Sequence, residues 1–100
     1  MYDMKQMLKW KKLSQLAPKA MEGFQAFDKA AMAEGAIPAK TKELIAVAVA
    51  LTTQCPYCIE IHTKRAKTAG CTEAEISEAA FVSAALRAGG SLTHAMHCLE

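Results

Sequence analysis

The chain has 100 residues, 52% of them apolar, and a formal net charge of +2. That charge is too weak to single out nucleic acid or a membrane surface as a partner. The length suits one domain, residues 1–100, whose core is small for so apolar a composition, so part of the apolar surface is expected to be buried against further copies of the chain. The run Leu44–Leu51 falls well short of the about 20 residues that cross a bilayer. The start, Met1-Tyr2-Asp3-Met4-Lys5, lacks the basic opening and apolar centre of a signal peptide, and a cytoplasmic location is expected. There, paired cysteines more often react or bind metal than staple a fold.

Ala, Lys, Glu, Leu and Met dominate, and turn residues are few, which predicts an all-α fold: a compact single-domain bundle of about six helices. Met4, Met7, Leu8, Leu13 and Leu16 mark a first helix ending before Pro18. Lys9, Lys11 and Lys12 read as its solvated face. Pro18 suits the first turn of a second helix, with Met21, Phe24, Phe27 and Ala31 at helical spacing and Gly35 as its stop. Pro38 opens a third that reaches Thr53. Within it, Ile45–Leu51 alternates branched and small residues and could be a strand. No breaker separates this run from the helix start, so a buried helix is preferred. A fourth helix begins at the cysteines and closes at Gly70. Thr72 with Glu75 is a capping-box signature for a fifth, predicted to stop at Gly89-Gly90, and Ser91 can cap a short sixth.

The chemistry concentrates in Glu43-x11-Cys55-Pro56-Tyr57-Cys58-x3-His62. On the fourth helix Cys55, Cys58, Ile59, His62, Ala66 and Ala69 share one face, and Glu60, Lys64, Arg65 and Lys67 the other. Cys55 falls at the helix start, where the dipole favours a thiolate, and a neighbouring thiol lowers its pKa further. If helices three and four form an antiparallel hairpin about Thr52-Thr53, Glu43 and His62 reach the same height. The carboxylate would then orient the imidazole, and the imidazole would take a proton from Cys58 one turn away.

On that spacing the chain resembles the alkyl-hydroperoxidase-D-like group of the carboxymuconolactone decarboxylase superfamily. The likeness extends through Ala79–His94, which contains Ala84-Ala85-Leu86-Arg87-Ala88-Gly89-Gly90, and covers about residues 18–98. The resemblance implies an all-helical trimer or hexamer that reduces hydroperoxides with its thiols. It implies that Cys58 attacks the peroxide and that Cys55 resolves the sulfenic acid into a disulfide. A lipoylated or thioredoxin-like dithiol protein would reduce that disulfide, and no cofactor or metal is required. Some members of the group carry His between the cysteines where this chain has Tyr57. The decarboxylases of the superfamily lack the cysteine pair, which argues against lactone decarboxylation here. Protein-disulfide exchange alone is a further alternative.

Two readings compete from outside this group. Cys-Pro-Tyr-Cys is also the glutaredoxin sequence, and a strand over 45–51 would suit a thioredoxin fold. Against it, no further strands are legible, and no proline follows Pro56 to face the dithiol. Alternatively, Cys55, Cys58 and His62 could hold zinc with His94, His97 or Cys98. Of the remaining residues, Cys71 reads as a small, partly buried side chain. Met4, Met7, Met21, Met32 and Met96 read as core or interface filler, and Trp10 as a packing anchor.

Overall fold

Prolines at helix starts and left-handed residues after helix ends punctuate this all-helical chain. The computed structural model describes residues 2–100; Met1, where the single-domain and signal-peptide readings begin, lies outside them. Five α-helices are present among the described residues, and no strand. They are α1 (Trp10–Leu16), α2 (Pro18–Met32), α3 (Ala39–Thr53), α4 (Pro56–Thr68) and α5 (Glu73–Ala95). Ile45–Leu51 is helical throughout, which removes the thioredoxin-like alternative.

The expected first helix is divided. Met4–Lys9 is a 3₁₀ segment, capped by the Asp3 carboxylate accepting from the Lys5 N–H at 2.9 Å. None of its residues is buried. α2 stops at Met32, ahead of Gly35. Ala33 is already extended, and the Lys42 ammonium donates to the carbonyls of Ala31 (2.9 Å) and Ala33 (2.6 Å), closing that end from the next helix.

The separate sixth helix does not form. α5 passes through Gly89-Gly90 to Ala95, and a short 3₁₀ turn, Met96–Cys98, follows. A glycine stops a helix by turning left-handed, and among the described residues Gly70 is the only glycine that does so. Inside a helix each glycine costs only about 1 kcal/mol relative to alanine. Thr93 Oγ1 and His94 Nδ1 bond the Gly89 and Gly90 carbonyls within α5, at 2.8 and 2.9 Å. The capping box of α5 forms as expected: Thr72 Oγ1 accepts from the Glu75 N–H at 3.1 Å, and Glu75 Oε1 from the Thr72 N–H at 2.8 Å.

α3 and α4 form an antiparallel hairpin. α5 runs parallel to α3 in a constant register. Ser83 Oγ donates to the Ala48 carbonyl (3.0 Å) and Arg87 Nη1 to the Thr52 carbonyl, each pair 35 residues apart. Lys40 and Glu75 meet at 3.6 Å in the same register. Between the three helices lie Val47 (2% exposed), Ala66 (0%) and Cys71, backed by Leu44, Leu51 and Ile76. The small Ala66 lets α4 approach α3 closely. α1 and α2 contain no buried residue and meet through an edge-on contact of Trp10 and Phe24, ring centres 6.1 Å apart. Trp10 is thus the packing anchor its type suggested.

The radius of gyration is 16.6 Å, against about 13 Å for a compact 100-residue domain. Phe27, Phe81, Leu86 and Leu92 are all exposed. No helix among the described residues is long and apolar enough to cross a membrane.

Candidate active site

The site is built where one helix ends and the next begins. Past Thr53 the chain turns left-handed at Gln54 (φ 57°, ψ 39°). The Cys55 N–H then reaches back to the Ala50 carbonyl at 3.2 Å. This is a Schellman closure. It recurs after α4, where Gly70 (φ 94°) precedes a Cys71 N–H bonded to the Ala66 carbonyl at 2.9 Å. Cys55 is extended and acts as the N-cap of α4, with Pro56 at the first helical position.

As N-cap, Cys55 Sγ accepts from the Cys58 N–H at 3.3 Å, taking the place of a cap oxygen. Its second partner is the Cys58 thiol, with the two sulfurs 2.8 Å apart. Both cysteines are free and partly buried. The bond to the Cys58 thiol, together with the Cys58 and Tyr57 N–H groups, holds the Cys55 pKa below the ordinary thiol value. The same S–H···S bond, with burial, pushes the Cys58 pKa up to about 11. Of the two thiols, Cys55 therefore gives up its proton the more readily and Cys58 holds its proton the more firmly.

Across the hairpin, Glu43 Oε2 lies 2.8 Å from His62 Nδ1. Both side chains are largely buried, at 14% and 18% exposure. A carboxylate on Nδ1 places the ring proton there and leaves Nε2 as the basic nitrogen. His62 and Cys58, one turn apart on α4, line a recess of about 270 Å³. Ala46, Val49, Ala50 and Thr53 supply its other walls. The structure thus brings together all four residues of the sequence motif: the two thiols directly, and Glu43 with His62 behind them.

The other candidates do not join them. His94 bonds its own helix and faces His97, ring centres 6.0 Å apart, while Cys98 is exposed. No group of three or more His, Cys, Asp or Glu side chains among the described residues is placed to hold a metal ion. The zinc reading with His94, His97 or Cys98 loses its ligand set. Cys71 is buried, its thiol 3.7 Å from the Lys40 carbonyl. Ala69, expected on the inward face of α4, is exposed because it caps the helix end.

Three neighbours of the dithiol were not singled out in the sequence. Gln54 holds the left-handed turn, a place that glycine or asparagine would have signalled. Arg87 reaches the Thr52 carbonyl from α5. Tyr2 packs edge-on against Tyr57, ring centres 5.2 Å apart, and its hydroxyl donates to Glu60. That carboxylate raises the Tyr2 pKa to about 12. Contacts this distant in sequence leave no local pattern.

Fold and site define the class as an all-helical protein with a paired-thiol centre at a hairpin turn. Residues 18–100 match the sequence model of the carboxymuconolactone decarboxylase family, and the chain belongs to that family. It is 49% identical over 78 residues to "Uncharacterized protein 4 in cox locus" of Paracoccus denitrificans, covering 78% of this chain and 70% of that protein. A crystal structure from Methanobacterium thermoautotrophicum superposes with a TM-score of 0.84 at 34% identity, covering 88% of this chain and 99% of the other. A carboxymuconolactone decarboxylase family protein from Legionella pneumophila, solved in its apo form, gives a TM-score of 0.80 at 34% identity, covering 91% and 81%.

Proposed function

We propose that this protein is a thiol-dependent peroxidase and disulfide oxidoreductase of the alkyl-hydroperoxidase-D-like type. One observation carries the reading: two free sulfurs 2.8 Å apart, with the Glu43–His62 pair behind a recess that Cys58 and His62 share. A disulfide needs about 2.05 Å between sulfurs, so the pair closes with less than about 1 Å of movement. Lactone decarboxylation, the reaction in the family's name, would use neither sulfur.

His62 Nε2 takes the proton of Cys58. The Cys58 thiolate attacks the outer oxygen of the hydroperoxide, the O–O bond breaks, and the alcohol leaves with the proton returned by His62. Cys58 is now a sulfenic acid. The Cys55 thiolate attacks its sulfur, the S–S bond forms, and hydroxide departs as water after taking up a proton. Two electrons and two protons from a dithiol donor, a lipoylated or thioredoxin-like protein, restore both thiols. The exposed apolar faces support a homo-oligomer, trimer or hexamer, and a reducing cytoplasm would keep the pair as thiols.

The lowered pKa of Cys55 favours a second reading, disulfide exchange begun by Cys55 on an oxidised partner protein and completed by Cys58. Single-cysteine variants separate the two. In the peroxidase reading, Cys55→Ser treated with one equivalent of organic hydroperoxide accumulates a sulfenic acid on Cys58, detected by dimedone capture and mass. In the exchange reading, Cys58→Ser traps a mixed disulfide through Cys55. Wild-type protein that stays a dithiol under both treatments refutes both.

A further inference from the structure

The carbonyls at the end of α3 are taken up in unequal ways. Thr52 Oγ1 donates to the Val49 carbonyl at 2.6 Å, and Thr53 Oγ1 to that of Ala50 at 3.3 Å. The Cys55 N–H shares the Ala50 carbonyl. These bonds stay within the turn itself. The Thr52 carbonyl is instead held by a cation from another helix, Arg87 of α5. Among the described residues Arg87 makes no ion pair with a carboxylate.

Its place matters because two opposed helix ends meet at Gln54-Cys55. The start of α4 favours negative charge on Cys55, whereas the end of α3 carries partial negative charge on its last carbonyls and opposes it. A guanidinium on the Thr52 carbonyl offsets that opposition. It also pins the turn that keeps Gln54 left-handed and Cys55 at the cap. Holding α5 against α3 does not require it: one turn earlier on α5, the buried Ser83 already bonds the Ala48 carbonyl, and the apolar core lies beyond.

We infer that Arg87 is a positioning residue for the dithiol, acting through the Thr52 carbonyl to keep Cys55 at its cap with a nucleophilic sulfur. This rests on the reading of Cys55 and Cys58 as the reacting pair. The titratable groups packed about the turn are Cys58 and Tyr57 on α4, His62 with Glu43 across the hairpin, and Tyr2 with Glu60 at the outer side. Arg87 bonds backbone alone, so a change at Arg87 leaves their direct contacts in place.

The test measures the pH dependence of Cys55 alkylation by iodoacetamide in the full chain, located by mass, alongside thiolate absorbance. Arg87→Met is expected to slow alkylation near neutral pH about two- to fivefold and to move the profile to higher pH. Arg87→Lys, which keeps the charge, is expected to restore most of the rate. Lys67→Met, which removes an exposed charge from α4, is expected to match wild type. If Arg87→Met does not fold, Arg87→Gln, a neutral donor, is expected to show the same shift. A neutral variant, Arg87→Met or Arg87→Gln, whose profile superimposes on wild type overturns the inference, as does Arg87→Lys behaving like Arg87→Met. A wild-type chain with no thiolate titration between about pH 5 and 10 removes the dithiol reading itself, a distinguishable failure.

Discussion

The three-helix body and the N-terminal arm are built on different principles. Every core residue lies between Val47 and Ser83, and polar rungs fix the register of α5 on α3. In α1 and α2 nothing is buried, and one aromatic pair joins them. The body can therefore hold two sulfurs at a defined spacing within one subunit. The arm has no such core: its apolar side chains, like Phe81, Leu86 and Leu92 on the outer side of α5, are left uncovered by the chain, and in the homo-oligomer we propose they would be covered by another copy.

The comparison can be broken first at the chemistry. His62→Gln in the body is expected to slow hydroperoxide-driven disulfide formation by about 100-fold, the usual weight of a positioned base. The melting temperature should change little, and stopped-flow oxidation with parallel calorimetry checks both. Glu43→Gln, which leaves the histidine ring unoriented, is expected to fall between that variant and wild type.

The next effect is on stability. Val47→Ala removes two methyl groups from the 2%-exposed centre of the body and is expected to cost about 2 kcal/mol. Phe27→Ser removes a larger side chain from the arm, but one that is 70% exposed. It is expected to leave subunit stability within about 0.5 kcal/mol while weakening self-association. Urea unfolding and sedimentation read the two quantities separately. Equal effects on stability would erase the distinction between body and arm.

Smaller effects sharpen the picture at the helix ends. The turns after α3 and α4 have the same form, but one uses Gln54 and the other Gly70 in the left-handed position. Gln54→Gly is expected to stabilise the reduced protein by about 0.5–1 kcal/mol, and Gly70→Ala to destabilise it by a similar amount. The pH dependence is subtler still. The bond to Cys55 and burial push the Cys58 thiol up from 9.0 to about 11 in the fold, so the folded state holds this proton more tightly. That contribution is fully present below about pH 9 and is lost as pH rises toward about 11. Melting temperatures of the reduced protein should fall across this window more steeply than those of Cys58→Ser.

Much of this was legible along the chain. Helical composition, Pro18, Pro38 and Pro56 at helix starts, and the Thr72–Glu75 capping box are local signals, because a helix start is decided by neighbours within one turn. The Glu43–His62 contact followed from counting residues on either side of one hairpin turn. Gly89-Gly90 misled, since glycine permits a helix stop without compelling it, and the chain supplied no left-handed turn there. Whether a residue turns left-handed, as Gln54 does, depends on how the flanking helices must pack. Tyr2 against Tyr57, Arg87 on Thr52 and the parallel run of α5 along α3 were decided only by the tertiary structure. These join segments tens of residues apart, and such contacts leave no period or spacing in the sequence.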